Sequence, residues 1–182
     1  MGEQKKIRII EVVPYNLQWV EKYQEEEKKI SNIMPNEIVE IHHIGSTSIP
    51  NIYAKPVIDI LIGVKDIEKV DKYNKEMEKL GYIAKGEHGI LRRRFFLKGI
   101  YNRTHHVHIF QTEDLEIKRH LNFRDYMIAH PDEARNYEKL KRELAKEFRY
   151  DNEGYCNGKN SFIKDIDRKA EEWIKTNKQK QL

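Results

Sequence analysis

Two adjacent segments decide the fold: His42-His43-Ile44-Gly45-Ser46-Thr47-Ser48-Ile49-Pro50 and, shortly after, Lys55-Pro56-Val57-Ile58-Asp59-Ile60-Leu61-Ile62-Gly63-Val64. Residues 57–64 are the most apolar run of the sequence and lack the alternation of apolar and polar residues that is typical of a strand with one solvent-exposed face. This run predicts a central strand that is buried on both faces. The Gly-Ser step before it predicts a turn whose free amides and hydroxyls favour an anion.

Strand and helix signatures continue on both sides of this strand. Asn16 is expected to cap a helix over residues 16–34, and Asp66 one over residues 66–80. The other predicted strands cover residues 7–13, 37–44, 92–98 and 105–110. Apolar positions three and four apart predict two or three helices over residues 114–177. This order indicates an α/β or α+β fold, with a mixed sheet flanked by helices and a helical C-terminal subregion.

The composition is that of a polar globular protein. Of 182 residues, 38% are hydrophobic and 35% are charged. No apolar run approaches the roughly 20 residues of a membrane-spanning helix, and no signal-peptide stretch is seen, so we expect a cytoplasmic protein without membrane contacts. The single cysteine excludes an intramolecular disulfide framework. No linker or repeat divides the chain, so we expect one domain over residues 1–182, with a sheet-rich part to about residue 112.

The charge pattern favours small anionic ligands over nucleic acid. The net charge is +4, and the signs are well mixed. Only Arg92-Arg93-Arg94 approaches the basic stripe of a duplex-binding protein. Arg93 is a candidate phosphate clamp because a guanidinium group binds phosphate through two hydrogen bonds. The alternative for this triplet is a solvated charged face.

Asp59 is a lone carboxylate within the apolar run. It must meet a cation, a metal or several donors, since burying an unpaired charge is costly. In His106-Val107-His108, strand alternation places both histidines on one face. If the two strands are neighbours, a carboxylate and two imidazoles converge, which suits a transition metal or a histidine general base. The alternatives are a structural ion pair of Asp59 with Lys55 or an arginine, and histidines that only make core hydrogen bonds.

The motifs together resemble the GrpB family, a group of bacterial proteins related to the nucleotidyltransferase superfamily, over nearly the full length of the chain. The resemblance is carried by Tyr15…Trp19, residues 43–50 and 54–60, Leu80-Gly81-Tyr82, His106-Val107-His108, Phe123-Arg124-Asp125-Tyr126, Tyr137…Leu140-Lys141 and Tyr155…Lys159…Phe162-Ile163. It implies a nucleotidyltransferase-like mixed sheet and a Gly-Ser turn at the place where related enzymes hold nucleotide phosphates.

Residue chemistry and resemblance together define two sets of candidates. The candidate phosphate- or nucleotide-binding residues are Gly45, Ser46, Thr47, Ser48, Lys55, Arg93, Arg124 and Lys159. The candidate catalytic and metal-binding residues are Asp59, His106 and His108, with Mg²⁺ or a transition metal as the expected cofactor. The expected partner is a nucleotide or another small phosphorylated molecule.

The sequence departs from active nucleotidyltransferases at one position. Those enzymes carry two acids two residues apart, on one face of the strand, where the acids share Mg²⁺ ions. Here the position two residues after Asp59 is Leu61. Three functions therefore stay open: metal-dependent nucleotidyl or phosphoryl transfer, binding of a ligand without catalysis, and metal-dependent phosphoester hydrolysis.

Overall fold

A computed structural model describes residues 9–179 and contains one five-stranded mixed sheet. Its strands are β1 (Ile38–Ile44), β2 (Ile58–Val64), β3 (Tyr82–Ala84), β4 (Arg94–Lys98) and β5 (His105–Gln111). The spatial order is β1-β2-β5-β4-β3. Strand β2 pairs antiparallel with β1 and parallel with β5, so it is internal, as its apolar run predicts.

Helical segments cover one face of the sheet: α1 (Gln18–Ile33), a 3-10 helix (Ile67–Tyr73) and α2 (Asn74–Lys79). The Asp66 side chain caps the 3-10 helix as predicted, accepting from the Glu68 amide at 3.1 Å. The Asn16 side chain accepts from the Gln18 amide at 2.9 Å, but Leu17 occupies the N-cap position of α1. The helix predicted over residues 66–80 is present as a 3-10 helix that continues directly into α2. Apolar residues recur at three-residue spacing over the first part, which matches the 3-10 period and lines them up toward the core.

The main core lies between this helical layer and the sheet. Ile58, Ile60 and Ile62 of β2 point into it and are almost fully buried. Trp19 and Ile30 of α1 pack against them. The intervening residues of β2 point to the opposite face, where Leu61 is also buried. Burial on both faces explains why the sequence of β2 shows no alternation.

One charged group is buried in this core. Glu26 of α1 is 3% exposed. Its carboxylate accepts hydrogen bonds from Lys29 and Lys98, at 2.8 and 2.9 Å, and from the Tyr82 hydroxyl at 2.8 Å. Burial raises the pKa of Glu26, but these three donors outweigh it and hold the pKa at about 2. The cluster ties α1 to β3 and β4.

Four helices, rather than two or three, form the C-terminal part: α3 (Leu115–Ala129), α4 (Pro131–Glu147), α5 (Asn152–Gly158) and α6 (Asn160–Gln179). The additional helix is α5. The Asp151 side chain starts it by accepting from two backbone amides at 3.0 Å. A β-carbon at Gly154 or Gly158 would collide with Phe148 or Leu144, so these glycines let α5 pack closely on α4.

The other differences from the predicted elements are at strand boundaries. Of the strand predicted over residues 7–13, residues 7 and 8 lie outside the described part, and the rest forms only a bridge between Val13 and Ala54. Strand β4 begins at Arg94 because Arg92 has a φ of 64°, which is incompatible with a strand. Strand β3 was not predicted, since three residues carry no readable pattern. Within residues 9–179, no helix is long and apolar enough to span a membrane.

Candidate functional site

The register of the sheet places Asp59 and two histidines on one face. Asp59 of β2 pairs with His106 of β5, and Leu61 pairs with His108. Directly paired residues of neighbouring strands point to the same side, here the side opposite α1. The structure thus brings together the three residues whose alternation suggested a shared face.

The contacts within this triad are direct. The Nδ1 atom of His106 donates to Asp59 Oδ1 at 3.1 Å, and Nε2 of His108 lies 3.7 Å from the same oxygen. The three side chains are between 15% and 26% exposed. The other ring nitrogen of His106, Nε2, is buried and has no partner within the described residues. Such an atom marks a position that a bound group can satisfy.

The surroundings set the protonation of the triad. Burial raises the pKa of the Asp59 carboxyl, but hydrogen bonds from His106 and His108 outweigh it and place the pKa well below its usual range. Burial lowers the pKa of His108, and the Asp59 carboxylate only partly opposes this. Arg93, whose guanidinium lies 3.4 Å from His108 Nδ1, lowers it further. Asp59 is therefore ionised beside a neutral imidazole at neutral pH, the forms in which both groups bind metals.

The donor atoms fit a divalent transition metal. One oxygen of Asp59 and one nitrogen from each histidine lie within 4.8 Å of one another. To ligate through Nδ1, His106 would give up the proton that it shares with Asp59, since a ring nitrogen that carries a proton cannot bind a metal. The two nitrogens lie 3.1 and 3.7 Å from Asp59 Oδ1, close to the about 3.4 Å expected between tetrahedral zinc ligands. Two imidazoles and a carboxylate favour a transition metal over Mg²⁺, which prefers oxygen ligands.

The Gly-Ser turn lies directly against this carboxylate. Gly45 has a φ of 71° and a ψ of −174°, a conformation that other residues rarely adopt. A β-carbon at this position would lie 3.0 Å from Asp59 Cγ and still closer to Oδ2. Glycine is therefore required both by the backbone and by the close approach of the turn to Asp59.

A cavity of about 250 Å³ opens beside Asp59 and His106. It is lined by lysines from three different segments: Lys55 before β2, Lys141 on α4 and Lys159 between α5 and α6. Ser46 of the turn also lines it. We call this space the lysine cavity.

Two of these lysines have a carboxylate nearby that only partly offsets their burial, Glu138 for Lys141 and Asp59 for Lys159. Lys141 is 1% exposed and donates only to the Tyr53 carbonyl oxygen, at 2.6 Å. Lys159 lies 4.4 Å from the centre of the Tyr155 ring. Within residues 9–179, neither forms an ion pair. Burial lowers the pKa of both, and with the charge of Lys159 nearby it brings the pKa of Lys141 to about 7. A bound anion would favour the protonated form of both lysines.

Not all predicted phosphate ligands reach this cavity. The hydroxyl of Thr47 is buried, 2.9 Å from His43 Nε2, and Ser48 donates back to the Gly45 carbonyl oxygen at 2.6 Å. Neither hydroxyl faces the cavity in this geometry, and phosphate binding by Thr47 and Ser48 stays a prediction. Residues Ser46–Ser48 form a 3-10 turn, in which successive side chains point about 120° apart. Only Ser46 lines the cavity.

The two predicted arginines are also held elsewhere. Arg93 precedes β4 and donates to the carbonyl oxygens of Glu87 and His88, at 3.1 and 2.7 Å, so it acts beside His108 rather than in the cavity. Arg124 donates to Asp125 and to the His43 carbonyl oxygen. Neither lines the lysine cavity.

Sequence reasoning missed Lys141 as a site residue. Tyr137, Lys141 and Leu144 are four and three residues apart and are all buried, so Lys141 lies on the core-facing side of α4. The sequence signal that could have identified Lys141 is its position on the apolar face of an amphipathic helix.

Comparison with known proteins shows a consistent set of relatives. A family model described as GrpB protein matches residues 9–169. The UPF0157 protein YqkA of Bacillus subtilis is 45% identical over 168 residues, which cover 92% of this chain and 49% of that protein. The chain therefore spans about half the length of this relative. The crystal structure of the conserved protein GrpB from Enterococcus faecalis is 43% identical, has a TM-score of 0.85, and is matched over 88% of this chain and 96% of that one. The Cid1 poly(U) polymerase is similar at a TM-score of 0.43 and 14% identity, over 75% of this chain and 46% of that one.

Proposed function

The chain belongs to the GrpB family, and we propose that it binds a small phosphorylated molecule or nucleotide in the lysine cavity and carries out metal-dependent phosphoryl or nucleotidyl transfer on it. One observation carries the proposal: Lys55, Lys141 and Lys159 reach a single cavity whose wall includes Asp59 and His106. Three separate segments converge there, so the charge is concentrated by the fold and not by a basic run of sequence.

The electrostatics of the cavity favour a phosphate group. Cations that burial removes from water are costly unless an anion pairs with them. Phosphate oxygens accept several charge-assisted hydrogen bonds at once. Ser46 adds a neutral donor at the turn. We expect the lysines to hold the phosphate and to orient it toward the Asp59 side of the cavity.

In this proposal Asp59, His106 and His108 hold a divalent transition-metal ion. Such an ion supplies charge neutralisation and Lewis-acid polarisation of a phosphoryl oxygen. Because Gly45 has no side chain, the turn lies close to Asp59, and a phosphate held at the turn would lie near the metal ligands. The triad needs no large rearrangement, because its donor atoms already lie near one another.

A second function is favoured by one specific observation. Leu61, at the position of the second acid of active nucleotidyltransferases, is fully buried among Ile44, Phe110 and Ile117. The oxygen ligands for a pair of Mg²⁺ ions are therefore missing on this strand. A protein that binds the ligand without transforming it would have this arrangement, and turnover measurements separate the two functions.

The anion site is tested by calorimetry with inorganic phosphate and pyrophosphate. Lys159→Gln should weaken binding about 10–100-fold, since it removes a charge-assisted contact. Lys164→Gln, at an exposed lysine of α6, is the matched control and should leave the affinity unchanged. Equal affinities of the wild type and both variants would contradict the location of the site.

The metal site is tested by titration with Zn²⁺ and Mn²⁺. Asp59→Asn keeps the shape of the side chain but removes the charged ligand. Loss of a residue that only orients a ligand lowers metal affinity about 10–100-fold, so the loss of Asp59 itself should lower it further. His42→Ala is the control, because His42 contacts Glu40 and not Asp59. With water as the acceptor, release of phosphate or pyrophosphate from a nucleoside triphosphate by the metal-loaded wild type, lost in Asp59→Asn, would distinguish catalysis from binding alone.

A further inference from the structure

A second cavity, of about 240 Å³, lies against the same carboxylate. Asp59 lines both cavities, and Gly45 and His108 form part of the wall of the second one. The remaining wall is largely apolar or aromatic and includes Ile44, Phe123 and Ile163. We call this space the apolar cavity.

The polar groups of the apolar cavity are satisfied within the protein. Arg119 pairs with Glu116 at 2.9 Å and with Asp167 at 3.2 Å. The Nδ1 atom of His120 donates to the Glu116 carbonyl oxygen at 2.7 Å, and its Nε2 lies 3.3 Å from the Arg119 guanidinium. Burial and the charge of Arg119 lower the pKa of His120 to about 4, so the ring is neutral at neutral pH. The lysine cavity differs, because Lys141 and Lys159 form no ion pair there within residues 9–179.

We propose that the apolar cavity binds the organic group of the phosphorylated ligand, an aromatic or compact apolar group, while its phosphate occupies the lysine cavity. This inference rests on the proposed function and adds the substrate class: an organic phosphoester or nucleotide rather than inorganic phosphate or pyrophosphate alone. The bond between phosphorus and the ester oxygen then lies beside Asp59, the residue that lines both cavities.

The dimensions agree with such a group. A cavity of about 150 Å³ is large enough for benzene, so the apolar cavity accommodates a single ring or a small bicyclic one. Phe123 and Tyr137 meet edge to face, with ring centres 5.9 Å apart. Tyr137 also stacks on Phe162, at 5.2 Å. These contacts fix the aromatic wall before a ligand arrives, which reduces the entropy lost on binding.

The first test compares methyl phosphate with phenyl phosphate on the wild-type protein by calorimetry. Both carry the same phosphate, and only the second has a ring. Phenyl phosphate should bind at least about tenfold more tightly, because burial of about half of the ring surface is enough for this difference. Affinities within about twofold of each other would overturn the inference.

Variants then locate the ring. Ile163→Phe fills the apolar cavity and should abolish the preference for phenyl phosphate while leaving the affinity for methyl phosphate unchanged. Lys159→Gln should weaken both ligands by the same factor. Ile128→Phe, on the exposed side of α3, adds the same ring outside the cavity and serves as the control. A folded Ile163→Phe protein that keeps the full preference would show that the ring binds elsewhere.

The outcomes separate this inference from the proposed function. If both phosphates bind through Lys159 without a preference, the anion site stands and the apolar subsite is refuted. If neither phosphate binds, both proposals fail. Should Ile163→Phe not fold, Phe123→Leu, which removes the ring of the wall, is expected to reduce the preference, and the wild-type comparison remains decisive.

Discussion

The contact between the Gly-Ser turn and the Asp59 carboxylate can be measured with a double-mutant cycle. Gly45→Ala introduces a β-carbon that would lie 3.0 Å from Asp59 Cγ and closer to Oδ2. Asp59→Ala removes both of those atoms and leaves only Cβ, 3.1 Å away. The cost of Gly45→Ala should therefore be smaller when residue 59 is alanine.

The magnitude follows from two separate effects. The backbone of Gly45 lies in a region almost restricted to glycine, and alanine there costs about 1–3 kcal/mol. Crowding against the carboxylate adds about 1–3 kcal/mol in a packed environment. Only the second effect depends on Asp59. We expect Gly45→Ala to destabilise the wild type by about 2–6 kcal/mol, with a coupling of about 1–3 kcal/mol to residue 59.

Urea denaturation of the wild type, the two single variants and the double variant, at constant m-value, gives the free energies of unfolding. Gly81→Ala is the matched control. Gly81 also has a positive φ, 87°, but the nearest side-chain atom to its β-carbon would be Lys98 Cε at 3.6 Å. Gly81→Ala should lower the free energy of unfolding by the same amount in the wild type and in Asp59→Ala. If Gly45→Ala is additive with Asp59→Ala within about 0.5 kcal/mol, the turn does not press on the carboxylate and our account of Gly45 is refuted.

Two further predictions concern pH. The pKa of Glu26 is about 2 in the folded protein and 4.5 in a free side chain. Its contribution of about 3 kcal/mol to the free energy of unfolding is therefore present above pH 4.5 and is lost as the pH falls toward 2. In acid denaturation, Glu26→Gln should lack that pH dependence, whereas the control Glu25→Gln, at an exposed position, should keep it. The pKa of Lys141 is about 7 when folded and 10.5 when free, so the unfolded chain binds the extra proton in between, and stability should rise by up to about 1.4 kcal/mol per pH unit from about pH 7 to 9. Urea denaturation of Lys141→Met should show a smaller slope, and an unchanged slope would contradict the pKa assigned to Lys141.

The sequence could predict those features that depend on one strand or on neighbouring strands. The central position of β2 follows from its unbroken apolar run. The shared face of His106 and His108 follows from the two-residue period, and the approach of Asp59 needs only that β2 and β5 be adjacent. Each of these inferences uses local geometry that tertiary packing did not override.

The lysine cavity could not be predicted in the same way. Lys55, Lys141 and Lys159 are far apart in sequence, and they meet only because α4 and α5 pack near the segment before β2. No periodic pattern encodes that packing. The different directions of the Ser46, Thr47 and Ser48 hydroxyls could not be predicted either, because they depend on the 3-10 geometry of the turn.

Leu61 decides what chemistry this site can support. It is fully buried, pairs in register with His108, and packs against Ile44 and Phe110. A carboxylate in its place would have to lose its hydration within an apolar cluster. In the proposed metal site, the groups that join Asp59 are therefore the imidazoles of His106 and His108 on the neighbouring strand. Replacing an oxygen ligand by nitrogen favours a transition metal over Mg²⁺. Zn²⁺ or Mn²⁺ should consequently bind more tightly than Mg²⁺, and a preference for Mg²⁺ would show that the histidines do not ligate.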